Sequence, residues 1–114
     1  MTHYMKLKPF PFEMIKNGNK TIELRLFDEK RQKISPCDSI EFTNTQTGEI
    51  IKAEVLALHC FDSFKELYES LPLTKCGYTA DDVDSAHYTD MNEYYSECEQ
   101  EKYGVVGIEL SLMI

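Results

Sequence analysis

The sequence predicts an α+β domain: a small curled sheet or barrel of about five or six strands, with three or four short helices packed on it. Three observations lead there. Short segments alternate apolar and polar side chains with period two, as half-buried strands do. Between them stand stretches with helical spacing and cap residues at their starts. The connections are hairpin-like, and strands this short are best satisfied by a small curled sheet with helices against it.

The elements follow in order along the chain. Tyr4 to Lys8 alternates apolar and basic residues and reads as a short strand. PFPFEMIKNG opens with prolines and closes on Gly18, the asymmetry of a short helix with a glycine C-cap. From Lys20 to Leu26 the period is two again. Ile22, Leu24 and Leu26 face one way; Thr21, Glu23 and Arg25 face the other. The charged segment FDEKRQKI leads through the turn SPCD to a strand over Ser39 to Thr43. TNTQTGE is a hairpin loop, followed by a long strand from Ile50 to Cys60. DSFKELYESL carries a capping box, Ser63 with Glu66, and an apolar stripe at Phe64, Leu67, Tyr68 and Leu71. After the loop LPLTKCGY, Thr79 with Asp82 caps a second short helix. TDMNEYYSECEQEKYG predicts one helix, with Met91, Tyr94, Tyr95 and Cys98 at i, i+3, i+4 and i+7, ended by Gly104. GVVGIELSLM closes the chain as a strand that buries Val106, Ile108, Leu110 and Leu112. The expected core includes Ile22, Leu24, Val55, Val106, Ile108 and Leu110.

At 114 residues, with 42% hydrophobic and 28% charged, the chain reads as a single globular domain over residues 1–114. No apolar run approaches the ~20 residues needed to span a bilayer. MTHYMKLKPF lacks the layout of a signal peptide, so the expected location is the cytoplasm. Cys37, Cys60, Cys76 and Cys98 are widely spaced, a pattern of reduced thiols rather than of disulfides or a zinc site. The net charge of −8 argues against nonspecific binding of duplex nucleic acid, which depends on many phosphate-neutralising Lys and Arg. Yet eight of the twelve basic residues lie at or before Lys33, so a local basic patch is compatible with the acidic total.

That basic half contains GNKTIELR, residues 18–25, which sets Lys20, Glu23 and Arg25 among Ile22, Leu24 and Leu26. Gly18-x-Lys20-x-x-Glu23-x-Arg25 resembles the G-x-K-x-x-E-x-R signature of ASCH domains, small β-barrel proteins of the PUA-like group. PFPFEMIKNG, DEKRQKI with Asp38 after its turn, FDSFKELYE and YYSECEQEKYGVVGIEL resemble the short single-domain members in the same order. The resemblance spans essentially the whole chain. It implies a PUA-like barrel whose cleft is associated with RNA or nucleotide recognition. More distant relatives are bacterial acetylcytidine amidohydrolases, whose motif reads G-x-K-T-I-T, with the Lys and second Thr assigned to catalysis. Lys20 and Thr21 match that pattern; Glu23 stands where its catalytic Thr would be.

Each of these residues also has a plain structural explanation. Lys20 has the parity of Ile22 and Leu24. It either precedes the strand and reaches to water, or stands at a cleft edge with its charge held by Glu23. In the second case burial would lower its pKa and make it a base or oxyanion stabiliser. Glu23 and Arg25 share a face, as a surface ion pair or as a ligand-positioning pair: a planar fork for phosphate or carbonyl, and an acceptor for an amine or activator of water. Lys20 and Glu23 are thus the expected chemical groups if the protein is an enzyme, with Thr21 and Arg25 binding ligand beside them. Lys30, Arg31 and Lys33 form either a solvated face or a set of phosphate contacts. Among the tyrosines, Tyr103 at a helix end is the expected stacking platform, with one of Tyr94 and Tyr95 in the core. The histidines form no metal or nucleophile pattern, and no glycine-rich phosphate loop is present, so neither a metal nor a cofactor is expected. Three functions remain open: binding of RNA or a modified nucleoside or nucleotide, deacylation of an acylated nucleoside such as acetylcytidine, and a non-catalytic interaction or regulatory domain.

Overall fold

Period-two alternation builds five strands in the computed structural model, which describes residues 1–113. They are β1 (Thr2–Leu7), β2 (Ile22–Leu26), β3 (Ser39–Asn44), β4 (Ile50–Phe61) and β5 (Val105–Leu112). The helices are α1 (Pro9–Lys16), α2 (Phe64–Ser70) and α3 (Glu97–Tyr103), with short 3₁₀ turns in the connections. The strands form one sheet in the order β1-β3-β4-β5-β2. β1 runs parallel to β3, and every other neighbouring pair is antiparallel. β1 and β2 are therefore the two edges, and the sheet curls as a half-barrel until they approach. The guanidinium of Arg25 on β2 donates to the Lys6 carbonyl on β1, 3.1 Å away. No helix among the described residues is long and apolar enough to cross a membrane.

The curl produces two cores rather than one. Phe12 and Ile15 of α1 pack inside the half-barrel with Met5, Ile40, Phe42, Val55, Val106, Ile108 and Leu110. On the other side of β2, Ile22, Leu24 and Leu26 pack with Phe64 and Leu67 of α2 and with Val105. All six residues expected in the core are buried, but Ile22 and Leu24 belong to this second cluster. The register explains the division. Glu23 pairs with Ile108 and Arg25 with Val106, so the polar face of β2 looks into the half-barrel. Both faces of β2 are covered.

Local chemistry decides three departures from the sequence expectations. The single helix expected over residues 89–104 is a 3₁₀ helix, Tyr88–Glu93, followed by α3. Ser96 breaks it by starting a new helix. Its hydroxyl accepts the Glu99 N–H at 3.1 Å, and the Glu99 carboxylate accepts the Ser96 N–H at 3.3 Å. Tyr94 and Cys98 are consequently exposed, while Met91 is buried. The Thr79–Asp82 bond forms, at 2.6 Å, but it leads into only a 3₁₀ turn over Val83–Ser85. Leu112, expected inside, lies exposed near the end of β5. Gly104 does end α3, at φ +70°, where an added Cβ would stand 3.0 Å from the Phe61 carbonyl oxygen.

Leu24→Ala should lower the unfolding free energy by ~2–5 kcal/mol, because the side chain is 7% exposed and packed on α2. Urea denaturation measures this. A loss below about half a kcal/mol would place Leu24 on the wrong face of β2.

Candidate functional site: a buried ion network under an aromatic cleft

Backbone bonds position the motif before its side chains do anything. Gly18, at φ +85°, turns the chain out of α1, and the Lys20 N–H returns to the Met14 carbonyl at 2.9 Å. The Thr21 N–H donates to the Lys75 carbonyl at 2.9 Å, and its own carbonyl accepts from Leu110 at 2.8 Å. Lys20 therefore stands just before β2, clamped between α1, the 3₁₀ turn at Leu73–Lys75 and β5. Gly77 packs on its stem: an added Cβ there would come within 3.4 Å of Lys20 Cδ.

The three charged side chains of the motif meet in one network. Lys20 Nζ lies 2.7 Å from Glu23 Oε1, and Arg25 Nε donates to Glu23 Oε2 at 2.8 Å. The side chains are 10%, 5% and 14% exposed for Lys20, Glu23 and Arg25 respectively. Lys20 does not reach to water. Burial by itself would push the Glu23 carboxyl upward, but the Lys20 and Arg25 charges outweigh it and hold the group below the usual carboxylate range. Burial likewise opposes the Arg25 charge, and Glu23 more than restores it.

This network is rich in donors and short of acceptors. An ammonium carries three N–H groups and a guanidinium five. One of Lys20's goes to Glu23; two of Arg25's go to Glu23 and to the Lys6 carbonyl. The others find no acceptor among the described residues, while both Glu23 oxygens are taken. Two cations against one anion also leave a surplus positive charge.

Lys20, Glu23 and Arg25 form the polar floor of a cleft of about 520 Å³. Phe10, Pro11 and Met14 of α1 line it together with Tyr78, Tyr94 and Tyr95. Phe10 and Tyr94 are 65% and 57% exposed, so their rings are free to stack on a ligand. Tyr95 lies stacked 6.2 Å from Phe64, with its ring half-buried against the second core. Lys6 and Lys8 stand at the rim, the Lys8 ammonium 5.7 Å from the centre of the Tyr94 ring.

Of the residues singled out in the sequence, Lys20, Glu23 and Arg25 converge here, joined by Tyr94 and Tyr95; Thr21, Lys30, Arg31 and Tyr103 do not. Thr21 contributes backbone bonds beside the cleft. Lys30 is exposed outside it, and Arg31 is engaged by Asp28 at 3.0 Å. Tyr103 packs on the second core and lines a shallower depression with Cys60 and Asp62. The aromatic walls and the rim lysines were not legible from spacing. A signal for them existed: Phe10 in the first turn of a proline-started helix, and two adjacent tyrosines that cannot both face a core. Among the described residues no group of three or more His, Cys, Asp or Glu side chains is placed to hold a metal ion.

Glu23→Gln should destabilise the protein by ~3–5 kcal/mol, since its amide group would face a cation and leave buried charge unpaired. The Glu23 pKa in the folded state lies below its ordinary 4.5. Its stabilisation is therefore complete above about pH 4.5 and is lost as pH falls through the lower folded value. Urea titrations from neutral pH downward should show the gap between wild type and variant closing in acid.

The fold has counterparts in known proteins. The ASCH domain family model matches residues 5–113. The crystal structure of hypothetical protein PH0355 is 34% identical, aligns over 99% of this chain and 100% of its own, and superposes with a TM-score of 0.85. Protein PF0455 from Pyrococcus furiosus, a solution structure, is also 34% identical, over 99% of this chain and 98% of its own, with a TM-score of 0.76. ASCH from Zymomonas mobilis shares the fold at 16% identity and a TM-score of 0.63, over 96% of this chain and 66% of its own. No curated protein matches the chain. With the family model spanning nearly its whole length and the G-x-K-x-x-E-x-R residues gathered at one cleft, this chain belongs to the ASCH domain family.

Proposed function

We propose that the protein binds RNA or a modified nucleoside or nucleotide, taking a single base into the cleft above Lys20, Glu23 and Arg25. The observation that carries this reading is the floor of unused N–H donors beneath aromatic walls. A base has a flat face for stacking and carbonyl or ring-nitrogen acceptors on its edge; stacking alone is worth ~1–3 kcal/mol per base. The cleft volume lies within the ~300–1,000 Å³ of sites that hold one small ligand. The net charge of −8 favours such a ligand over a long RNA gripped by its phosphates. Family membership supports the same class, since ASCH clefts are associated with RNA or nucleotide recognition.

The geometry favours binding over hydrolysis. A general base needs a pKa near the working pH and a free lone pair aimed at water. Glu23 has a cation on each oxygen, a side chain only 5% exposed and a carboxyl held below the ordinary range. It serves better as the anchor that orients Lys20 and Arg25 toward the acceptors of a ligand. The deacylation alternative places Lys20 at the developing oxyanion instead, and the two separate in one assay.

Calorimetric titration with nucleosides and short single-stranded RNA should show binding that Lys20→Ala weakens by about ten- to a hundredfold, the worth of a charged hydrogen bond. Arg25→Lys should weaken it as well, because an ammonium cannot reproduce the planar fork. Acetylcytidine incubated with the wild type should be recovered intact. Its hydrolysis by the wild type, abolished in Lys20→Ala, would replace this reading with the amidohydrolase.

Lys30 and Arg31 lie outside the cleft, so neutralising both should leave nucleoside affinity unchanged. Their loss should weaken RNA binding only at low salt and flatten its salt dependence. Fluorescence titrations at several salt concentrations test this. An equal loss for the free nucleoside would bring the basic run into the site.

A further inference from the structure

We infer that Asp90, held in one orientation by a hydrogen-bond chain through Tyr78 and Tyr68, reads the exocyclic amine of the bound base and so sets which nucleosides the protein prefers. The inference rests on the nucleoside-binding reading above and adds a direction of preference to it.

The floor of the cleft offers a ligand donors only. Glu23, the one carboxylate there, has a cation on each oxygen and is only 5% exposed, so it presents little surface to a ligand. A more open acceptor for an amine on the base is Asp90, which also lines the cleft. Its Oδ2 accepts the Tyr78 hydroxyl at 2.7 Å and the His87 N–H at 3.1 Å. Its Oδ1 takes no hydrogen bond from any described residue. Since Tyr78 gives its single O–H to Asp90, the 2.7 Å contact between the two tyrosine hydroxyls must be donated by Tyr68. The chain therefore runs in one direction, from Tyr68 on α2 to Tyr78 in the cleft wall to Asp90. The tyrosine rings meet edge to face, 5.9 Å apart at 78°, which fixes the middle link.

This support sets Asp90 apart from the other acidic residues of the cleft. Glu93 has no side-chain partner among the described residues, so binding through it would first have to freeze a free rotor. Asp82 is tied only within its own turn, to Thr79. Asp90 alone is oriented by a residue that forms the cleft wall.

The constraint makes a distinctive prediction for Asp90→Asn. Tyr78 and His87 both donate, so they retain the amide oxygen, and the NH₂ group takes the place of Oδ1. An acceptor becomes a donor at an unchanged position. Cytidine and adenosine carry an amine where uridine and inosine carry a carbonyl, and all four share the same ribose, so a ribose contact generates no preference among them.

The experiment is calorimetric titration of the full chain and its variants with these four nucleosides. The wild type should prefer cytidine to uridine and adenosine to inosine by about tenfold, the worth of one charge-assisted hydrogen bond. Asp90→Asn should reverse the order. Tyr78→Phe keeps the ring but removes one of the two bonds that fix Asp90, leaving the His87 N–H; it should measurably shrink the wild-type preference, and it decides the matter if Asp90→Asn does not fold. A positional role in folding alone would not invert a base preference. Binding with no preference, or a preference that survives both variants, overturns the inference and leaves nucleoside binding standing. If none of the four binds the wild type, the inference falls, while the titrations with short single-stranded RNA decide the wider binding reading.

Discussion

Glu23 is a carboxylate almost wholly removed from water, and the surrounding architecture follows from what that requires. An uncompensated buried charge costs several kcal/mol, so Lys20 and Arg25 have to reach it from two directions. Arg25 arrives through the period of the strand, two residues along the same face. Lys20 arrives through the turn at Gly18 and the bond from its own N–H back to α1. Arg25 then spends a second donor on the Lys6 carbonyl of the opposite edge strand. One ion network thus satisfies a buried acid and joins the two edges of the curled sheet.

Well-packed hydrophobic side chains in place of such a network are often as stabilising or more so. Its physical return is a set of fixed donors facing the cleft. Two cations share one anion, so the floor keeps a surplus positive charge and several N–H groups without an acceptor. Their orientation is set before any ligand arrives, because each cation is already held by Glu23 and by packing, with Gly77 against the Lys20 stem. Preorganised donors of this kind lower the entropic cost of recognition.

β2 lets the same short segment serve stability and recognition. Its apolar side chains pack on α2 in one core, while Glu23 and Arg25 look into the mouth of the half-barrel. The tyrosines follow the same economy. Tyr95 stacks on Phe64 with one side and walls the cleft with another. Tyr68 belongs to α2 yet reaches through Tyr78 to Asp90. The second core and the cleft wall are therefore mechanically one unit.

The sequence by itself determined what depends on neighbours a few residues apart. The five strands follow from side-chain alternation, α1 from Pro9 and Gly18, and the start of α2 from Ser63. The G-x-K-x-x-E-x-R spacing placed the polar network, because Glu23 and Arg25 share a strand face at any register. Only the tertiary structure decided the rest. Alternation separates two faces of β2 but is silent on whether one or both are covered, and the curl covers both. The stripe at Met91, Tyr94, Tyr95 and Cys98 matched a helix that the Ser96–Glu99 capping box interrupts, since a local cap outweighs a weak apolar period. Phe10 and Tyr94, far apart in the chain, line one cleft, and no periodicity records a proximity at that separation.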